Sequence, residues 1–397
     1  SALFGRFFWL QVMQHDYYQT RAEDNRISLV PILPNRGLIL DRNGVIMAHN
    51  YSAYTLEITP SRVADLDKMI DGLAQVIEIR MKDRKRFRKL LEESKNFESL
   101  PIRTRLSDDE VARFIANRYR FPGVDIKARL FRQYPYVESA SHLLGYIGRI
   151  NDNDIERIED KEAEDNYRGT EHIGKTGVEQ KYEFDLHGQT GFEQVEVDAG
   201  GRAVRLLSRI PPVAGNNLTL TVDSKLQAVV EQAFGNRRGA LVAIEPSTGG
   251  ILALVSMPGF DPNLFVDGID SQNWDALNTS LDKPMVNRAL NGGYPPGSTF
   301  KPYMALAALE LGKRTPQQTI FDPGYYNFGG HQFRDDKKGG HGTVDMYKSI
   351  VESCDTYYYM LANDLGIDNI AAFMGQFGFG SRTGIDIEGE SQGVLPS

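Results

Sequence analysis

A cluster of helix-breaking residues directly ahead of an apolar segment determines where one helix of this chain begins. Glycines and prolines occupy five of the six positions in residues 292–297, and such residues end regular structure. Residues 303–311 are almost wholly apolar, which predicts a helix that is buried on most of its sides. Pro302 has no N–H to donate back to Ser298, so the turn beneath this serine is constrained. The segment therefore predicts a rigid core helix whose first turn carries Ser298.

Ser298 and Lys301 are three residues apart at the start of this predicted helix, so their side chains lie on one face. A serine hydroxyl is a weak nucleophile until a base accepts its proton, and a partly desolvated lysine amine can be that base. The spacing therefore indicates a Ser-Lys nucleophilic centre. The alternative is a helix-capping serine beside a lysine with a solvated ammonium. For the tetrapeptide alone, this alternative is the favoured interpretation.

A second polar motif, Ser353-Cys354-Asp355, follows at the break between two predicted helices. Its hydroxyl can pass a proton to a departing amine, and the Asp355 carboxylate can orient Lys301 or the substrate backbone. Capping is again the alternative, because Ser and Asp are common N-caps. Two such motifs in this order, each at a helix edge, favour catalysis. The candidate catalytic residues are Ser298, Lys301, Ser353 and Asp355.

Length and charge limit the classes of protein to which the chain can belong. Its 397 residues suffice for two or three domains. The net charge of −8 and the pI of about 5.5 argue against a nucleic-acid partner. Cys354 is the only cysteine, so the chain has no internal disulfide. No apolar run is long enough to span a bilayer.

The start of the chain nevertheless resembles the exit of a membrane helix. Residues 2–13 are rich in aromatic side chains and include one cation, as is typical of membrane interfaces. We therefore interpret residues 1–30 as a membrane-proximal stub of an anchor helix whose earlier turns are absent. The first amphipathic helix of a soluble domain is the alternative.

Patterns of apolar and polar residues divide the rest of the chain into two parts, residues 31–214 and residues 215–397. Turn-forming residues between short alternating segments predict hairpins at Asn43-Gly44, Gly200-Gly201 and residues 246–250. A separate strand is predicted at residues 54–58. Helices are predicted at residues 66–77, 84–94 and 107–117, the last with a capping box. We therefore predict an α+β fold with a helical cluster packed on a sheet.

Motifs along nearly the whole chain share a pattern with one known family. They are Arg36-Gly37-Leu38-Ile39-Leu40-Asp41-Arg42-Asn43-Gly44, Arg132-Gln133-Tyr134-Pro135, His142-Leu143-Leu144-Gly145-Tyr146, Gly174-Lys175-Thr176-Gly177-Val178-Glu179, residues 218–227, residues 295–302 and Ser353-Cys354-Asp355. In these motifs the chain resembles the class B penicillin-binding proteins, and among them the branch of the bacterial rod-elongation machinery. The aspartate of Ser-x-Asp, where the family pattern has Ser-x-Asn, is also typical of that branch.

The resemblance implies a fold and a reaction. The fold is an elongated, dimerisation-type pedestal domain followed by a transpeptidase domain similar to the serine β-lactamases. The protein is anchored in the bacterial inner membrane by a single helix, with its catalytic domain in the periplasm. Ser298 attacks the D-Ala-D-Ala carbonyl of a peptidoglycan stem peptide, Lys301 accepts the serine proton, and Ser353 relays a proton to the departing D-Ala. A neighbouring stem amine then resolves the acyl-enzyme.

The resemblance also implies partners and inhibitors. β-Lactams mimic D-Ala-D-Ala and acylate Ser298, and catalysis requires no cofactor. The pedestal contacts a SEDS-type glycosyltransferase and the rod-complex scaffold. A non-catalytic module that recognises penicillin or regulates a glycosyltransferase is the alternative from another class. A β-lactamase is a third interpretation, but it needs a deacylating water with its base, and a long pedestal is foreign to that class.

Lys175-Thr176-Gly177 spells the family's third motif at the wrong place. In the family, Lys-Thr-Gly follows Ser-x-Asn on an edge strand and helps to form the oxyanion hole. Here the tripeptide precedes Ser298 and stands before a predicted helical segment, residues 178–184. We expect it to be a turn entering a pedestal helix. Because no later Lys-Thr-Gly occurs, we expect the transpeptidase domain to be C-terminally incomplete in this chain. A catalytically incomplete relative of the family is the alternative.

Metal-ligating residues gather in sequence around Cys354. The preceding loop contains Asp322, His331, Asp335, Asp336 and His341. Thiolate, imidazole and carboxylate suit tetrahedral zinc, and a metal would order a loop with little apolar content. The best candidate set is Asp322, Asp335, His341 and Cys354, as a structural zinc site. The alternative is a small buried cysteine under a solvated loop.

Overall fold

A computed structural model describes residues 27–93, 99–197 and 203–396. The chain separates into two compact units, Ser1–Met285 and Val286–Ser397. The predicted domain boundary between residues 214 and 215 falls inside the first unit, and it stays a prediction. In the described residues no helix is long and apolar enough to cross a membrane. Most of the predicted membrane-proximal stub, and the turn of the predicted hairpin at Gly200-Gly201, lie outside the described residues.

The strands of the first unit form sheets that are mostly antiparallel. They are β1 (Ile27–Ile32), β2 (Ile39–Leu40), β3 (Ile46–Ile58), β4 (Leu100–Leu106), β5 (Val124–Gln133), β6 (Ile147–Arg149), β7 (His172–Gly174), β8 (Gly191–Val197), β9 (Ala203–Ile210), β10 (Leu218–Thr219), β11 (Gly239–Ile244) and β12 (Ile251–Met257). The sheet orders are β1-β8-β9, β10-β2-β3-β4 with β5 also paired to β3, β6-β7 and β11-β12. Among these pairs, β10 and β2 are parallel.

The helices of the first unit are short and lie between the strands. They are α1 (Leu66–Leu73), α2 (Met81–Glu93), α3 (Asp108–Asn117), α4 (Ser141–Leu144), α5 (Asp152–Glu159), α6 (Gly177–Lys181), α7 (Glu183–His187), α8 (Ser224–Phe234), α9 (Asn263–Val266) and α10 (Ser271–Thr279). The capping box predicted for α3 is confirmed, since Ser107 and Glu110 exchange side-chain and backbone hydrogen bonds. The helix expected at residues 66–77 is wrong at its end, because α1 stops at Leu73 and turns follow.

One apolar core of this unit lies between β3, β4 and β5 and helices α1 to α3. Leu56 and Ile58 of β3 and Ile102 of β4 are fully buried in it, together with Phe87 and Phe114. The expectation of a separate strand at residues 54–58 was wrong. β3 is continuous for 13 residues, because β5 pairs with it without interruption from His49 to Ile58.

One part-buried arginine, one buried arginine and two buried glutamates join three of the sequence motifs. Arg36 donates to Glu179 at 2.8 Å and to Glu183 at 2.7 Å. Arg132 donates to the other oxygen of Glu179 at 2.7 Å and to the Gly37 carbonyl at 2.7 Å. Burial alone would raise the pKa of Glu179, but the charges of Arg132 and Arg36 outweigh it and lower that pKa. The motifs therefore hold the fold together by a charge-balanced internal network.

The early Lys-Thr-Gly is a turn that leads from β7 into α6, as expected from the sequence. Gly177 has a φ of +62°, and a Cβ there would lie 2.5 Å from the Leu143 carbonyl oxygen, so the turn requires glycine. Lys175 forms an ion pair with Asp154 of α5. The tripeptide is part of the internal structure of the first unit.

The second unit combines small hairpins with a helical cluster. Its elements are α11 (Arg288–Asn291), α12 (Lys301–Glu310), β13 (Ile320–Asp322), β14 (Tyr325–Phe328), β15 (His331–Arg334), β16 (Gly342–Val344), α13 (Met346–Val351), α14 (Asp355–Leu365) and α15 (Ile367–Gly375). β13 pairs with β16 and β14 with β15. The core is formed by apolar residues of α12, α14 and α15, including Ala307, Ala308, Tyr357, Leu361 and Met374. The α+β class predicted from the sequence is confirmed.

Candidate active site and metal centre

Ser298 lies in a tight turn at the start of the core helix. Residues Gly297–Phe300 form a 3-10 turn, and α12 begins at Lys301. The sequence placed Ser298 in the first turn of the α-helix itself, and this detail is wrong because Pro302 stands at the second helical position and cannot bond back. Ser298 is exposed, whereas Lys301 is buried. The Ser298 hydroxyl therefore faces solvent and the Lys301 amine lies beneath it.

Ser353 lies at a sharp break between α13 and α14. Its φ is +56°, which is uncommon for a residue other than glycine. The N–H of the next residue, Cys354, donates to the carbonyl of Ser349 in α13 at 3.0 Å, and α14 starts at Asp355. This turn directs both the hydroxyl and the carbonyl of Ser353 toward the start of α12.

The structure brings the four predicted catalytic residues together. The Lys301 Nζ donates to the Ser353 carbonyl at 2.6 Å, to the Ser353 Oγ at 3.0 Å and to Asp355 Oδ1 at 2.5 Å. The Ser353 hydroxyl in turn donates to the Ser298 Oγ at 2.8 Å. Ser353 thus bridges the exposed hydroxyl and the buried amine. This arrangement can move a proton between Ser298 and Lys301 through one intervening hydroxyl.

The four predicted metal ligands also converge, directly behind this turn. The His341 Nδ1 lies 2.9 Å from Asp322 Oδ2 and 3.3 Å from Asp335 Oδ1. The Cys354 Sγ lies 3.5 Å from an oxygen of each carboxylate. All four side chains are buried, and their ligand atoms lie within 4.8 Å of one another. His331 is exposed in β15 and Asp336 is exposed beside Asp335, so the candidate set is the one chosen from the sequence.

The donor set fits a tetrahedral metal ion. Bonds of 2.0–2.3 Å to zinc place neighbouring ligand atoms about 3.4 Å apart, close to the separations of the four groups. Burial is the largest influence on Asp322 and would raise its pKa, but hydrogen bonds, among them those from Gly324 and His341, outweigh it and hold its pKa at about 2. Burial, assisted by the neighbouring carboxylates, raises the pKa of the Cys354 thiol to about 12. A metal would displace the thiol proton.

The cluster is connected to the reactive turn through the backbone. Asp335 accepts the N–H of Thr356 at 2.8 Å, one residue after Asp355. Cys354 itself stands between Ser353 and Asp355. The sequence indicated both the candidate catalytic residues and the candidate metal ligands. It did not reveal this backbone link, nor that the ring of Tyr358 lies under Lys301. The spacing of Tyr358 three residues after Asp355 on one helix was the available signal.

Two family models match the chain. Residues 31–220 match the penicillin-binding protein dimerisation domain, and residues 239–397 match the penicillin-binding protein transpeptidase domain.

Individual proteins extend this similarity over the whole chain. The peptidoglycan D,D-transpeptidase MrdA of Escherichia coli strain K12 is 46% identical over 399 residues, covering 100% of this chain and 63% of the relative. A solved structure of the penicillin-binding protein PBP2 of Helicobacter pylori is similar with a TM-score of 0.73 and 30% identity, over 92% of this chain and 69% of that one. A structure of that organism's PBP2 in complex with MreC matches with a TM-score of 0.78 and 29% identity, over 93% of this chain and 68% of that one.

The chain spans 63% of the length of the E. coli relative, with the dimerisation domain ahead of the transpeptidase domain. Three observations indicate the same family: the order of the domains, the Ser-x-x-Lys and Ser-x-Asp motifs, and the similarity along the whole chain. The chain belongs to the class B penicillin-binding proteins, in the penicillin-binding protein 2 branch.

Proposed function

We propose that the protein is a peptidoglycan D,D-transpeptidase that cross-links stem peptides through an acyl-serine intermediate during cell elongation. The observation that carries this proposal is the continuous hydrogen-bonded series from the exposed Ser298 through Ser353 to Lys301 and Asp355. We also propose that the functional division follows residues 31–214 and 215–397, which the family matches at 31–220 and 239–397 support.

The geometry gives each residue a role in acylation. In the resting arrangement the donors point from Lys301 to Ser353 and from Ser353 to Ser298. When Lys301 is the neutral amine, this direction reverses: Ser298 gives its proton to the Ser353 Oγ, and Ser353 gives its own to the Lys301 Nζ. The Ser298 Oγ bonds to the penultimate D-Ala carbonyl carbon, and the C–N bond to the last D-Ala breaks. The departing amine takes its proton back along the same path.

Asp355 has an orienting role in this proposal. Its carboxylate lies 2.5 Å from the Lys301 Nζ and is partly exposed, so it holds the amine next to Ser353. The acyl-enzyme is then attacked by the side-chain amine of a neighbouring stem peptide. No cofactor takes part in the proposed reaction, and the proposed metal centre has a structural role away from the reacting atoms.

Labelling with a fluorescent penicillin tests the proposal in the full-length protein. A β-lactam carries a strained amide that the same nucleophile opens, and its acyl-enzyme persists. We expect a stable adduct in the wild type and in Thr299→Ala, a control that removes the neighbouring exposed hydroxyl. Ser298→Ala should abolish the adduct. The alternative function, a non-catalytic recognition or scaffold module, gives no covalent adduct in the wild type, and that result would overturn the transpeptidase proposal.

We further propose a structural zinc ion held by Asp322, Asp335, His341 and Cys354. Their burial and convergence support this, and a bound ion would fix the backbone on both sides of Cys354. Metal analysis of the purified full-length protein should find about one zinc per chain. Cys354→Ser should lose the metal and lower the melting temperature, whereas His331→Gln, outside the cluster, should change neither. A metal-free wild type whose melting temperature is unaffected by Cys354→Ser would contradict the site.

Partners and location follow from the same family. We propose an inner-membrane anchor ahead of the described residues, a periplasmic catalytic domain, and contacts with the rod-complex scaffold and a SEDS-type glycosyltransferase. The H. pylori PBP2 complex with MreC supports the scaffold contact. The sheet β1-β8-β9 carries the exposed apolar side chains Leu29 and Ile210, which could take part in such a contact. Co-purification of these partners with the full-length protein from bacterial membranes tests the assignment, and recovery of the protein alone would contradict it.

A further inference from the structure

Three hydrogen bonds use the whole donor capacity of the Lys301 ammonium. The three acceptors are the Ser353 carbonyl, the Ser353 hydroxyl and the Asp355 carboxylate, and an ammonium has three N–H groups. A lysine side chain has several rotatable bonds and does not hold one position by itself. During proton transfer the contact with Ser353 must weaken and re-form. A further contact that needs no N–H would keep the Nζ in place through that step.

Tyr358 supplies such a contact. The Lys301 Nζ lies 5.6 Å from the centroid of the Tyr358 ring, within the range in which an aromatic face attracts a cation. Tyr358 follows Asp355 by one turn of α14, so the ring and the carboxylate approach the ammonium from the same helix. The attraction acts on the positive charge, which Lys301 carries in the resting arrangement and regains as it accepts the proton from Ser353, and it does not compete for hydrogen bonds.

The ring of Tyr358 is itself held rigidly. Its side chain is buried, 7% exposed, in the core of the second unit. Its hydroxyl lies 3.1 Å from the Ser349 hydroxyl, which also lies 2.7 Å from the Met346 carbonyl. Burial raises the pKa of Tyr358, so the phenol stays neutral and the ring keeps its electron-rich face.

We propose that Tyr358 is a positioning residue for acyl transfer, whose aromatic face keeps the Lys301 amine within reach of Ser353 and Asp355. This inference rests on the proposed transpeptidase function. In this proposal Tyr358 acts through Lys301 and takes no direct part in the bond changes.

Tyr357 provides a matched control in the same helix. It is fully buried and belongs to the same core, but its ring faces Arg314, whose guanidinium carbon lies 4.9 Å from its centroid. Loss of either ring opens a comparable hole in the core. Only loss of the Tyr358 ring removes the contact with Lys301.

The experiment measures covalent labelling by a fluorescent penicillin in the full-length protein, with the rate constant of acylation separated from the preceding binding constant. Tyr358→Phe keeps the ring and should acylate within about twofold of the wild type. Tyr358→Leu should acylate roughly tenfold more slowly with an unchanged binding constant. Tyr357→Leu should lower the melting temperature similarly but leave the acylation rate constant of the folded protein unchanged. A series of increasingly fluorinated phenylalanines at position 358 should slow acylation stepwise, because fluorine weakens the ring's attraction for a cation at nearly constant shape.

Each result of this experiment either supports or overturns the positioning role of Tyr358. Equal rates in Tyr358→Leu and the wild type, equal slowing in Tyr357→Leu, or no trend in the fluorinated series would overturn the positioning role. Slowing in Tyr358→Phe as large as in Tyr358→Leu would assign the effect to the hydroxyl and its contact with Ser349, and would also overturn it. If the wild type forms no adduct at Ser298, the proposed function fails, and this inference fails with it.

Discussion

Ser353 contributes two atoms to the site, its hydroxyl and its carbonyl oxygen, and both accept from Lys301. A backbone with a φ of +56° makes this possible, at a cost of about 1–3 kcal/mol for a residue with a Cβ. The surrounding contacts maintain this conformation, since Cys354 is fixed to Ser349 and Thr356 to Asp335. Local strain here is therefore tied to the geometry of the proton path.

Replacing Ser353 by alanine removes the hydroxyl that bridges Ser298 and Lys301. We expect the rate constant of acylation by a fluorescent penicillin to fall about 10²–10⁴-fold, with little change in binding. Ser353→Gly should be equally slow but more heat-stable than Ser353→Ala, because glycine adopts a positive φ without strain. Acylation of Ser353→Ala within twofold of the wild-type rate would show that the proton does not pass through this residue.

The individual site residues could be predicted from the sequence, but their connection could not. Ser-x-x-Lys and Ser-x-Asp are short patterns at helix edges, and Cys354 with two acids and a histidine has recognisable ligand chemistry. The left-handed backbone of Ser353 depends on contacts with α13 and with Asp335, which are distant in sequence. The position of Ser353 between Ser298 and Lys301 follows from that backbone and so required the structure.

At the scale of the elements, the site depends on how α12 and α14 pack. Ala307 and Ala308 of α12 are fully buried with Tyr357 and Leu361 of α14, and small side chains let the helices approach closely. The apolar run after Lys301 predicted the helix correctly but overstated its burial, because Leu306, Leu309 and Leu311 are exposed. Apolar periodicity does not distinguish the 3-10 turn at Gly297–Phe300 from a first α-helical turn, although the missing N–H of Pro302 indicated a constrained turn there.

Another contact between elements, in the first unit, fixes the start of α8. The buried Asp41 accepts from the Ser224 N–H and hydroxyl at 3.0 Å and 2.7 Å, and from the N–H groups of Asn43 and Val45 at 2.8 Å each. Burial is the largest influence on this carboxylate and would raise its pKa, but these hydrogen bonds outweigh it and lower the pKa from 3.8 to about 2. The Arg36–Gly44 motif thus has a structural role at its aspartate as well as at Arg36.

The lowered pKa of Asp41 predicts a pH-dependent contribution to stability. Because the folded pKa is below the unfolded one, the contribution is complete above about pH 4 and is lost as the pH falls toward about 2. It amounts to about 2 kcal/mol. Asp41→Asn should therefore lower the free energy of unfolding by about that amount at pH 7 and by much less at pH 2.5, as measured by urea unfolding monitored in the first unit.

The exposed aspartate at the end of α5 provides the control for this prediction. Asp160→Asn should leave the free energy of unfolding unchanged at both pH values, because Asp160 is exposed and surface changes of this kind are usually small. A deficit in Asp41→Asn that is equally large at pH 7 and at pH 2.5 would show that the charge of Asp41 does not stabilise the fold.

At the scale of the whole molecule, the order of functional parts was readable from the sequence, but the compact units were not. The motifs predicted a pedestal followed by a transpeptidase domain, and the family matches have that order. The structural division lies instead between Met285 and Val286. Contact density depends on long-range packing, such as that of α8 against β12, which local patterns do not contain.

The early Lys-Thr-Gly shows that a short motif can match a family pattern without having the family's function. A tripeptide identical to a family motif folds here as a turn entering α6, with Lys175 paired to Asp154. Its place before Ser298 identified it as unrelated to the reactive pair. A motif therefore predicts chemistry only together with its position in the fold.

The central claim is that Ser298 is the nucleophile of an acyl-transfer centre with Ser353 and Lys301. The most direct measurement is peptide mapping by mass spectrometry after the full-length protein has reacted with a penicillin. The account predicts a single adduct with the mass of the antibiotic, on the peptide and at the hydroxyl of Ser298, and no adduct in Ser298→Ala. An adduct on any other residue, or an unmodified wild-type protein, would contradict it.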